Sequence, residues 1–196
     1  MELNIKPKIL LVGHGRHGKD TVAEILQMFY GFSYYSSSEW CADKVCFPAL
    51  KDKYGYETVK QCFEDRHNHR SEWYDLIAAY CQEDPTRLGR EIFQTSDIYC
   101  GLRNKREFHF MRNARVFDFS IWVDRSDHLP PEPADSMNIE PWMADFIIDN
   151  NGSRDDLTFA VKQLMDNLLG VHDPKVTEMS HHQEYAPSGI INLDNI

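Results

Sequence analysis

The stretch that most constrains this chain runs from Lys8 to Lys19, where an apolar segment leads directly into a glycine-rich turn. Lys8–Val12 is a short, nearly uninterrupted apolar run, typical of a strand that is buried on both faces of a parallel sheet. From Asp20 onward, apolar residues recur at helical spacing up to Gly31, a residue type that commonly ends helices. The first part of the chain therefore predicts a strand, a glycine-rich turn and a helix.

The turn matches the phosphate-binding pattern Gly-x-x-x-x-Gly-Lys, with Gly13, Gly18 and Lys19 at the fixed positions. Glycines allow backbone N–H groups to point inward at phosphate oxygens, and the following helix presents the positive end of its dipole. We expect Lys19 to reach the terminal phosphates of ATP and to stabilise charge during phosphoryl transfer. The predicted ATP site comprises Gly13, His14, Gly15, Arg16, His17, Gly18, Lys19, Asp20 and Thr21.

Two features of this turn leave open which residue binds Mg2+ and which kind of nucleotide site the turn forms. The residue after Lys19 is usually Ser or Thr, whose hydroxyl binds Mg2+, but here it is Asp20, with Thr21 next. We expect either residue to reach Mg2+, directly or through water, and Asp124, at the end of a predicted strand, is a third candidate ligand. The segment also fits the Gly-x-Gly-x-x-Gly pattern of dinucleotide sites. Lys19 argues against that interpretation. A dinucleotide site would also need an acidic residue at the end of the second strand, and the nearest candidate, Glu39, follows a serine run instead of a clear strand end.

Strand and helix patterns alternate along the rest of the chain. A helix with Ser153 as N-cap is predicted from Arg154 to Leu169, and another from Glu39 to Lys51. This alternation predicts an α/β fold with a mainly parallel sheet, in one domain over residues 1–170, followed by a C-terminal tail, 171–196, that has no helical period and is either draped on the surface or partly disordered. Further strands are predicted at Phe32–Ser36, Asp97–Leu102, Phe117–Val123 and Ala144–Asp149.

Composition limits the function classes. The formal net charge of −10 disfavours long-range attraction to nucleic acid, although a local basic site stays compatible with it. Five widely spaced cysteines form neither a Cys-x-x-Cys pair nor a zinc pattern, so they are interpreted as reduced thiols. No apolar run approaches the roughly 20 residues of a membrane helix, and residues 1–8 lack the features of a secretion signal. We expect a cytoplasmic protein, in the host cytoplasm if the source is viral, and a homodimer is left open.

Two blocks of sequence resemble the bacteriophage-type deoxynucleoside monophosphate kinases and, more distantly, the dephospho-coenzyme A kinases. One is Gly18-Lys19-Asp20-Thr21, and the other is residues 144–153, Ala-Asp-Phe-Ile-Ile-Asp-Asn-Asn-Gly-Ser. The similarity extends loosely over residues 8–170. It implies a three-layer α/β/α P-loop NTPase fold with a helical acceptor-binding region at about 39–115 and a lid at about 125–143.

Three arginines stand where this resemblance implies contact with phosphate. Arg70 looks like the family's acceptor-phosphate arginine, with Arg66 as a substitute, and Arg103 resembles the arginine that follows the equivalent strand. Arg125 directly follows the strand Phe117–Val123, at the sheet edge where open α/β sheets bind ligands, and is expected to be a lid arginine. Arginine suits these roles because its guanidinium holds phosphate bidentately. With Lys19, the predicted catalytic set is Lys19, Arg70, Arg103 and Arg125; a solvated surface position is the alternative for each arginine.

Other polar residues are candidate contacts of the acceptor. Ser37 and Ser38 follow the second predicted strand, where they either donate hydrogen bonds to a phosphate or sugar or form a helix cap. Asp43, Asp65 and Asp124 are candidate carboxylates that hold Mg2+, position the acceptor hydroxyl, or both. The predicted acceptor site therefore comprises Ser37, Ser38, Asp43, Asp65, Arg66, Arg70 and Arg103.

These observations predict ATP-dependent phosphoryl transfer to a deoxynucleoside monophosphate, with ATP and Mg2+ as cofactors. One alternative is a P-loop kinase that phosphorylates a hydroxymethylated pyrimidine, in nucleotide or in phage DNA, and DNA is a partner only under that alternative. A second alternative is a nucleotide-binding module without transfer activity, for which Asp20 in place of Ser or Thr is the main support.

Overall fold

The computed structural model describes residues 6–170 and the short strand 190–192. Its strands are β1 Ile9–Val12, β2 Tyr34–Ser36, β3 Ile98–Cys100, β4 Phe119–Asp124, β5 Phe146–Asp149 and β6 Ile190–Asn192. Its helices are α1 Lys19–Tyr30, α2 Ser37–Cys41, α3 Phe47–Tyr54, α4 Val59–Asp65, α5 Arg70–Cys81, α6 Arg87–Thr95, α7 Lys105–Asn113 and α8 Arg154–Leu169. A π-helical turn, Ala42–Cys46, joins α2 to α3, and a 3-10 turn, Pro141–Met143, precedes β5.

The strands form one sheet in the order β2-β3-β1-β4-β5-β6. The first five strands are parallel, and β6 pairs with β5 in the antiparallel direction. β1 lies at the centre, with Ile9 opposite Ile98 of β3 on one side and Phe119 of β4 on the other. The carboxyl ends of β1, β3 and β4 therefore meet at one edge of the sheet, which is where open α/β sheets bind ligands.

Both faces of β1 are buried, as its apolar run predicts. Ile9 and Leu11 pack against α1 and α8, whereas Leu10 and Val12 pack against the helices on the opposite face, including α6 and α7. Successive side chains of a strand point to opposite faces, so four fully buried apolar residues require a layer on each side. The architecture is a three-layer α/β/α P-loop NTPase fold, which confirms the predicted fold class.

Capping residues end the helices where the sequence predicts. Gly31 adopts a left-handed conformation (φ 68°) after α1, and its N–H donates to the carbonyl of Gln27 at 2.9 Å. The Ser153 side chain accepts a hydrogen bond from the N–H of Asp156 at the start of α8, and Gly170 (φ 65°) ends that helix. The N-cap and both glycine stops are therefore confirmed.

Some boundaries differ from the predictions. The second helix begins at Ser37 instead of Glu39, because serine is accommodated in a first helical turn, where the N–H groups need no helical partner. β4 begins at Phe119 instead of Phe117. The reason is that the N–H of Lys8 donates to the side-chain carboxylate of Asp118 at 2.6 Å and not to a backbone carbonyl of β4. The predicted region 39–115 contains β3, a strand of the central sheet.

The prediction for residues 171–196 falls mostly outside the described residues. Where the chain is described again, at Ile190–Asn192, it forms a strand, which the sequence did not predict. The reason is that the outer edge of β5 offers backbone groups to any extended segment that can reach it. Among the helices of the described residues, none is long and apolar enough to cross a membrane. All five cysteines are buried and unpaired.

Candidate functional site

The glycine-rich turn after β1 requires glycine at two positions for steric reasons. Gly13 has φ 138°, and a Cβ at this residue would lie 2.6 Å from the backbone oxygen of Val123 on β4. Gly18 has φ 97°, and a Cβ there would collide with the side-chain amide of Asn150. Gly18 then serves as the N-cap of α1, whose first residue is Lys19. The turn is therefore pressed against the ends of β4 and β5, with its N–H groups at the start of a helix.

His17 fastens this turn to the neighbouring strands. Its imidazole is fully buried, and Nδ1 accepts a hydrogen bond from the N–H of Arg125 at 3.0 Å. Burial lowers the pKa of His17, and the nearby His14 ring lowers it further. Because Nδ1 is an acceptor, the proton of the neutral ring is on Nε2, which has no hydrogen-bond partner within the described part of the chain. The buried imidazole therefore holds the turn against the end of β4, and the part of His17 in an ATP site stays a prediction.

Lys19 is buried on the inner side of the glycine-rich turn. Its ammonium Nζ donates to the carbonyls of Gly13 at 2.8 Å and His14 at 2.7 Å. Burial lowers the pKa of Lys19, and the positive charge of Arg103 contributes to the lowering. The side chain thus faces the turn and not the hydrophobic core.

A carboxylate of the chain itself lies on the turn. Glu132, in the segment after β4, accepts a hydrogen bond from the N–H of Gly15 through Oε2 at 2.6 Å. Its other oxygen, Oε1, forms an ion pair with the guanidinium of Arg103 at 2.7 Å. A single anionic group therefore contacts both a backbone N–H of the glycine-rich turn and an arginine from the loop after β3.

The candidate Mg2+ ligands lie around the start of α1 and the end of β4. Oδ1 of Asp20 accepts a hydrogen bond from the thiol of Cys100 at 3.3 Å. Asp124 accepts one from the hydroxyl of Ser126 at 2.8 Å, and its Oδ1 is 4.0 Å from Nδ1 of His17. Within residues 6–170 and 190–192, no group of three or more His, Cys, Asp or Glu residues is arranged to hold a metal ion. Oxygen ligands suit Mg2+, which usually takes one or two carboxylates and completes its shell with phosphates and water.

Arg125 is held at the same edge of the sheet. Its guanidinium donates to the carbonyl of Asn150 at 2.8 Å, and the side chain of Asn150 donates in turn to the carbonyl of His17 at 2.8 Å. The backbone N–H of Asn150 also donates to the carbonyl of Asp124 at 2.7 Å. The residues after β4 and β5 thus form a connected network behind the glycine-rich turn.

The predicted serines lie beside the end of β3. Ser37 occupies the first turn of α2, with its hydroxyl 3.4 Å from the carbonyl of Gly101, and Ser38 shares a 2.9 Å hydrogen bond with Ser36. Gly101 has φ 107°, and a Cβ there would lie 2.8 Å from the hydroxyl oxygen of Ser37. This close approach places the amino end of α2 next to the loop that carries Arg103.

The remaining acceptor candidates lie on the helical region. Asp65 accepts hydrogen bonds from Tyr56 at 2.5 Å and Asn68 at 2.6 Å, and Arg66 contacts the carbonyl and ring of Phe63. The hydrogen bonds from Tyr56 and Asn68 hold the pKa of the Asp65 carboxyl below its usual value.

Arg70 begins α5 and is exposed, and Asp43 pairs with the adjacent Lys44 at 2.7 Å. Among the described residues, no hydrogen bond or ion pair joins Asp43, Asp65, Arg66 or Arg70 to the glycine-rich turn. The structure therefore brings together Lys19, Arg103, Arg125 and the turn, and leaves these four side chains apart from them.

Comparison with solved structures identifies small kinases with similar chain traces. The shikimate kinase from Bacteroides thetaiotaomicron aligns with 85% of this chain and 100% of its own, at 12% identity and a TM-score of 0.46. The shikimate kinase from Aquifex aeolicus covers 83% and 99%, at 14% identity and 0.46, and a gluconokinase from Sinorhizobium meliloti 1021 covers 85% and 98%, at 11% and 0.40. No protein-family model and no curated protein matches the sequence.

The contacts of Glu132 and Asn150 at the site, and the burial of Glu107 elsewhere on α7, were not predicted from the sequence. Glu132 could have been noticed as the single acid among Pro130, Pro131 and Pro133, although nothing local indicates that it reaches Gly15. Asn150 lies within the block that carries the family resemblance, but its bond to the glycine-rich turn has no sequence signal. Glu107 on α7 is mostly buried, and burial raises its pKa to about 7.

Proposed function

We propose that this protein catalyses phosphoryl transfer from ATP to a deoxynucleoside monophosphate. The observation that carries the proposal is the convergence of the Gly15 N–H and the Arg103 guanidinium on one carboxylate, that of Glu132. A transferred phosphoryl group needs the same arrangement, since donors from the nucleotide loop and a cation from the acceptor side must meet at one anionic group. Lys19 lies in the same loop and supplies a second cation.

ATP fits the donor loop because that loop already accommodates an anion. The N–H groups of the turn and the start of α1 would hold the phosphates, and Lys19 would exchange the carbonyls of Gly13 and His14 for phosphate oxygens. Asp20, Thr21 and Asp124 would hold Mg2+ together with those oxygens. When bound, Mg2+ supplies charge neutralisation to the phosphates.

A nucleotide acceptor is favoured by the cations and by the resemblance to phage nucleotide kinases. A nucleoside monophosphate brings its own ionised phosphate as the nucleophile, so the protein needs cations to screen two anions and no general base. Arg103 lies at the loop, and Arg70 is exposed at the first residue of α5, from which it would bind an acceptor phosphate. Ser37 and Ser38 would contribute hydrogen bonds from the amino end of α2.

The proposal is tested by ADP release in the presence of ATP and Mg2+ with each of the four common deoxynucleoside monophosphates. We expect at least one of them to accelerate ADP release and to yield the corresponding diphosphate. Acceleration by a hydroxymethylated pyrimidine, free or in DNA, would indicate the alternative acceptor. ATP binding that no acceptor converts into turnover would contradict the kinase proposal and support a nucleotide-binding module.

A further inference from the structure

Glu132 occupies a position that two phosphate groups would need at the same time. We infer that its carboxylate is an internal competitor that couples the two substrate sites, so that either substrate, on displacing it, makes the other bind more tightly. The inference rests on the proposed function, because it takes the Gly15 N–H as part of the donor site and Arg103 as part of the acceptor site. It assigns a regulatory role to a residue of the lid segment.

The contacts of Glu132 are those of a bound anion. Burial alone would raise the pKa of its carboxyl, but hydrogen bonds from Arg103 and the Gly15 N–H outweigh that effect and hold the pKa below its usual value. Glu132 is therefore ionised at neutral pH. A Cβ at Gly15 would lie 3.1 Å from Oε1, so the carboxylate is in close contact with the turn. The backbone N–H of Glu132 also donates to Nδ1 of His14 at 3.2 Å.

Glu132 lies in an exposed part of its segment, next to a part that is anchored in the core. Pro130, Pro131 and Pro133 around it are exposed, whereas Met137 and Ile139 farther along are buried in the core. The N–H of Asn138 donates to the carbonyl of Arg103, and its side-chain oxygen accepts from the N–H of Lys105 at 2.6 Å. The N–H groups of Ser136 and Met137 donate to the carbonyl of Pro133, so residues 133–139 would stay attached to the Arg103 loop while the tip at 130–132 moves outward. Proline restricts the tip to few backbone conformations, so releasing Glu132 adds little disorder.

Coupling follows from simple linkage. We take each substrate to bind only when Glu132 has left. The association constant of either substrate alone is then its intrinsic value multiplied by the fraction of molecules in which the carboxylate is displaced. The first substrate removes that reduction for the second, and the effect is reciprocal. The factor by which a monophosphate tightens nucleotide binding in the wild type should therefore equal the factor gained by deleting the carboxylate.

A supporting role for Glu132 makes the opposite prediction. If the carboxylate served to hold Arg103 and the turn in the geometry that binds substrate, its removal would weaken nucleotide binding. The two roles are therefore separated by the sign of one measured change.

The experiment measures the affinity of the non-hydrolysable ATP analogue AMP-PNP, with Mg2+, for the wild type, Glu132→Gln and Glu132→Ala. Asp135→Asn is the matched control, because Asp135 is an exposed acid of the same segment whose described contact is with Ser136. We expect both Glu132 variants to bind AMP-PNP about 5- to 10-fold more tightly than the wild type, and the control to bind as the wild type does. Unchanged or weaker binding in the Glu132 variants, or equal tightening in Asp135→Asn, would overturn the inference.

A second titration tests the coupling itself. In the wild type, the monophosphate that supports turnover should tighten AMP-PNP binding, and in Glu132→Ala it should have no such effect. Coupling that persists in Glu132→Ala would overturn the inference and leave the proposed function intact. Tightening of AMP-PNP in the Glu132 variants of a protein that transfers no phosphate would support the competitor role and reject the proposed function. Failure of all four proteins to bind AMP-PNP would reject both.

Discussion

The side-chain amide of Asn150 donates a hydrogen bond to the backbone carbonyl of His17 at 2.8 Å, so the loop after β5 holds the glycine-rich turn after β1. Asn150 is buried, with 6% of its surface exposed, and the bond links residues 133 positions apart. The same Asn150 side chain is what a Cβ at Gly18 would strike. Glycine at position 18 and asparagine at position 150 are therefore matched to each other.

Replacing Asn150 with alanine should loosen the turn. We expect Asn150→Ala to lower the free energy of unfolding by about 1 to 3 kcal/mol, because the buried carbonyl of His17 loses its partner. Nucleotide affinity should fall as well, since the turn is no longer fixed. Urea denaturation and an AMP-PNP titration measure the two effects. Asn167→Ala, at an exposed position on α8, is the control and should change stability by less than about 0.5 kcal/mol.

Lys19 should be needed for transfer and not for folding. Lys19→Met keeps the length of the side chain but removes the charge, and we expect turnover to fall by about 1000-fold or more as stabilisation of the phosphoryl group is lost. The free energy of unfolding should change little, because the cost of burying an ammonium offsets its two hydrogen bonds. Lys51→Met, on the exposed face of α3, serves as the comparison. Wild-type turnover in Lys19→Met would refute the site assignment.

Gly13 should tolerate no side chain. We expect Gly13→Ala to destabilise the protein by about 3 kcal/mol or more, because its Cβ would overlap the backbone oxygen of Val123 in addition to the strain of a positive φ. Gly55→Ala separates the two effects. Gly55 also has a positive φ, 71°, but no atom lies within 4 Å of its hypothetical Cβ, so about 1 kcal/mol is expected. Equal losses in thermal or urea unfolding would show that the contact with β4 is unimportant.

Glu107 should make stability depend on pH near neutrality. Burial raises its pKa to about 7, above the ordinary value of 4.5, so between these limits the folded state binds more protons than the unfolded state. Stability contributed by the protonated carboxyl is therefore lost as the pH rises from about 5 to 8. Glu107→Gln should remove this slope and be more stable than the wild type at pH 8 by about 2 to 3 kcal/mol.

The measurement is urea denaturation of the wild type and Glu107→Gln at several pH values from 5 to 8. Glu64→Gln, at an exposed position on α4, should keep the slope of the wild type. A wild-type slope in Glu107→Gln would mean that another group is responsible.

Local sequence patterns predict the centre of the fold well because the decisive interactions there are short in sequence. The apolar run of β1 requires a layer on each face of the sheet, and Gly31, Ser153 and Gly170 mark helix ends through contacts with residues only a few positions away. The glycine-rich turn is likewise determined by residues close together in the sequence. Its conformation is set by Gly13 and Gly18, and its setting between β1 and α1 is visible in the sequence.

Contacts between distant residues explain what the sequence left undetermined. Glu132 meets Gly15 across 117 positions, and Arg103 meets Glu132 across 29 positions, and no periodicity encodes either pairing. The same holds for Asn150 and His17. Arg103 and Arg125 were identified from their place after strands, which topology brings to one edge. Arg66 follows α4 and Arg70 begins α5, and no strand fixes the orientation of these helices.

The antiparallel pairing of β6 with β5 has a consequence for self-association. Without Ile190–Asn192, the backbone N–H and C=O groups on the outer side of β5 would be open to pairing with an extended segment of another molecule. In the chain as it stands, a strand of the same molecule occupies that border, opposite residues 146–148. The segment 190–192 thus moves this edge of the sheet from β5, with four residues, to a strand of three residues, which offers fewer backbone groups for intermolecular strand addition. Shortening the protein to residue 170 would expose the outer side of β5 again.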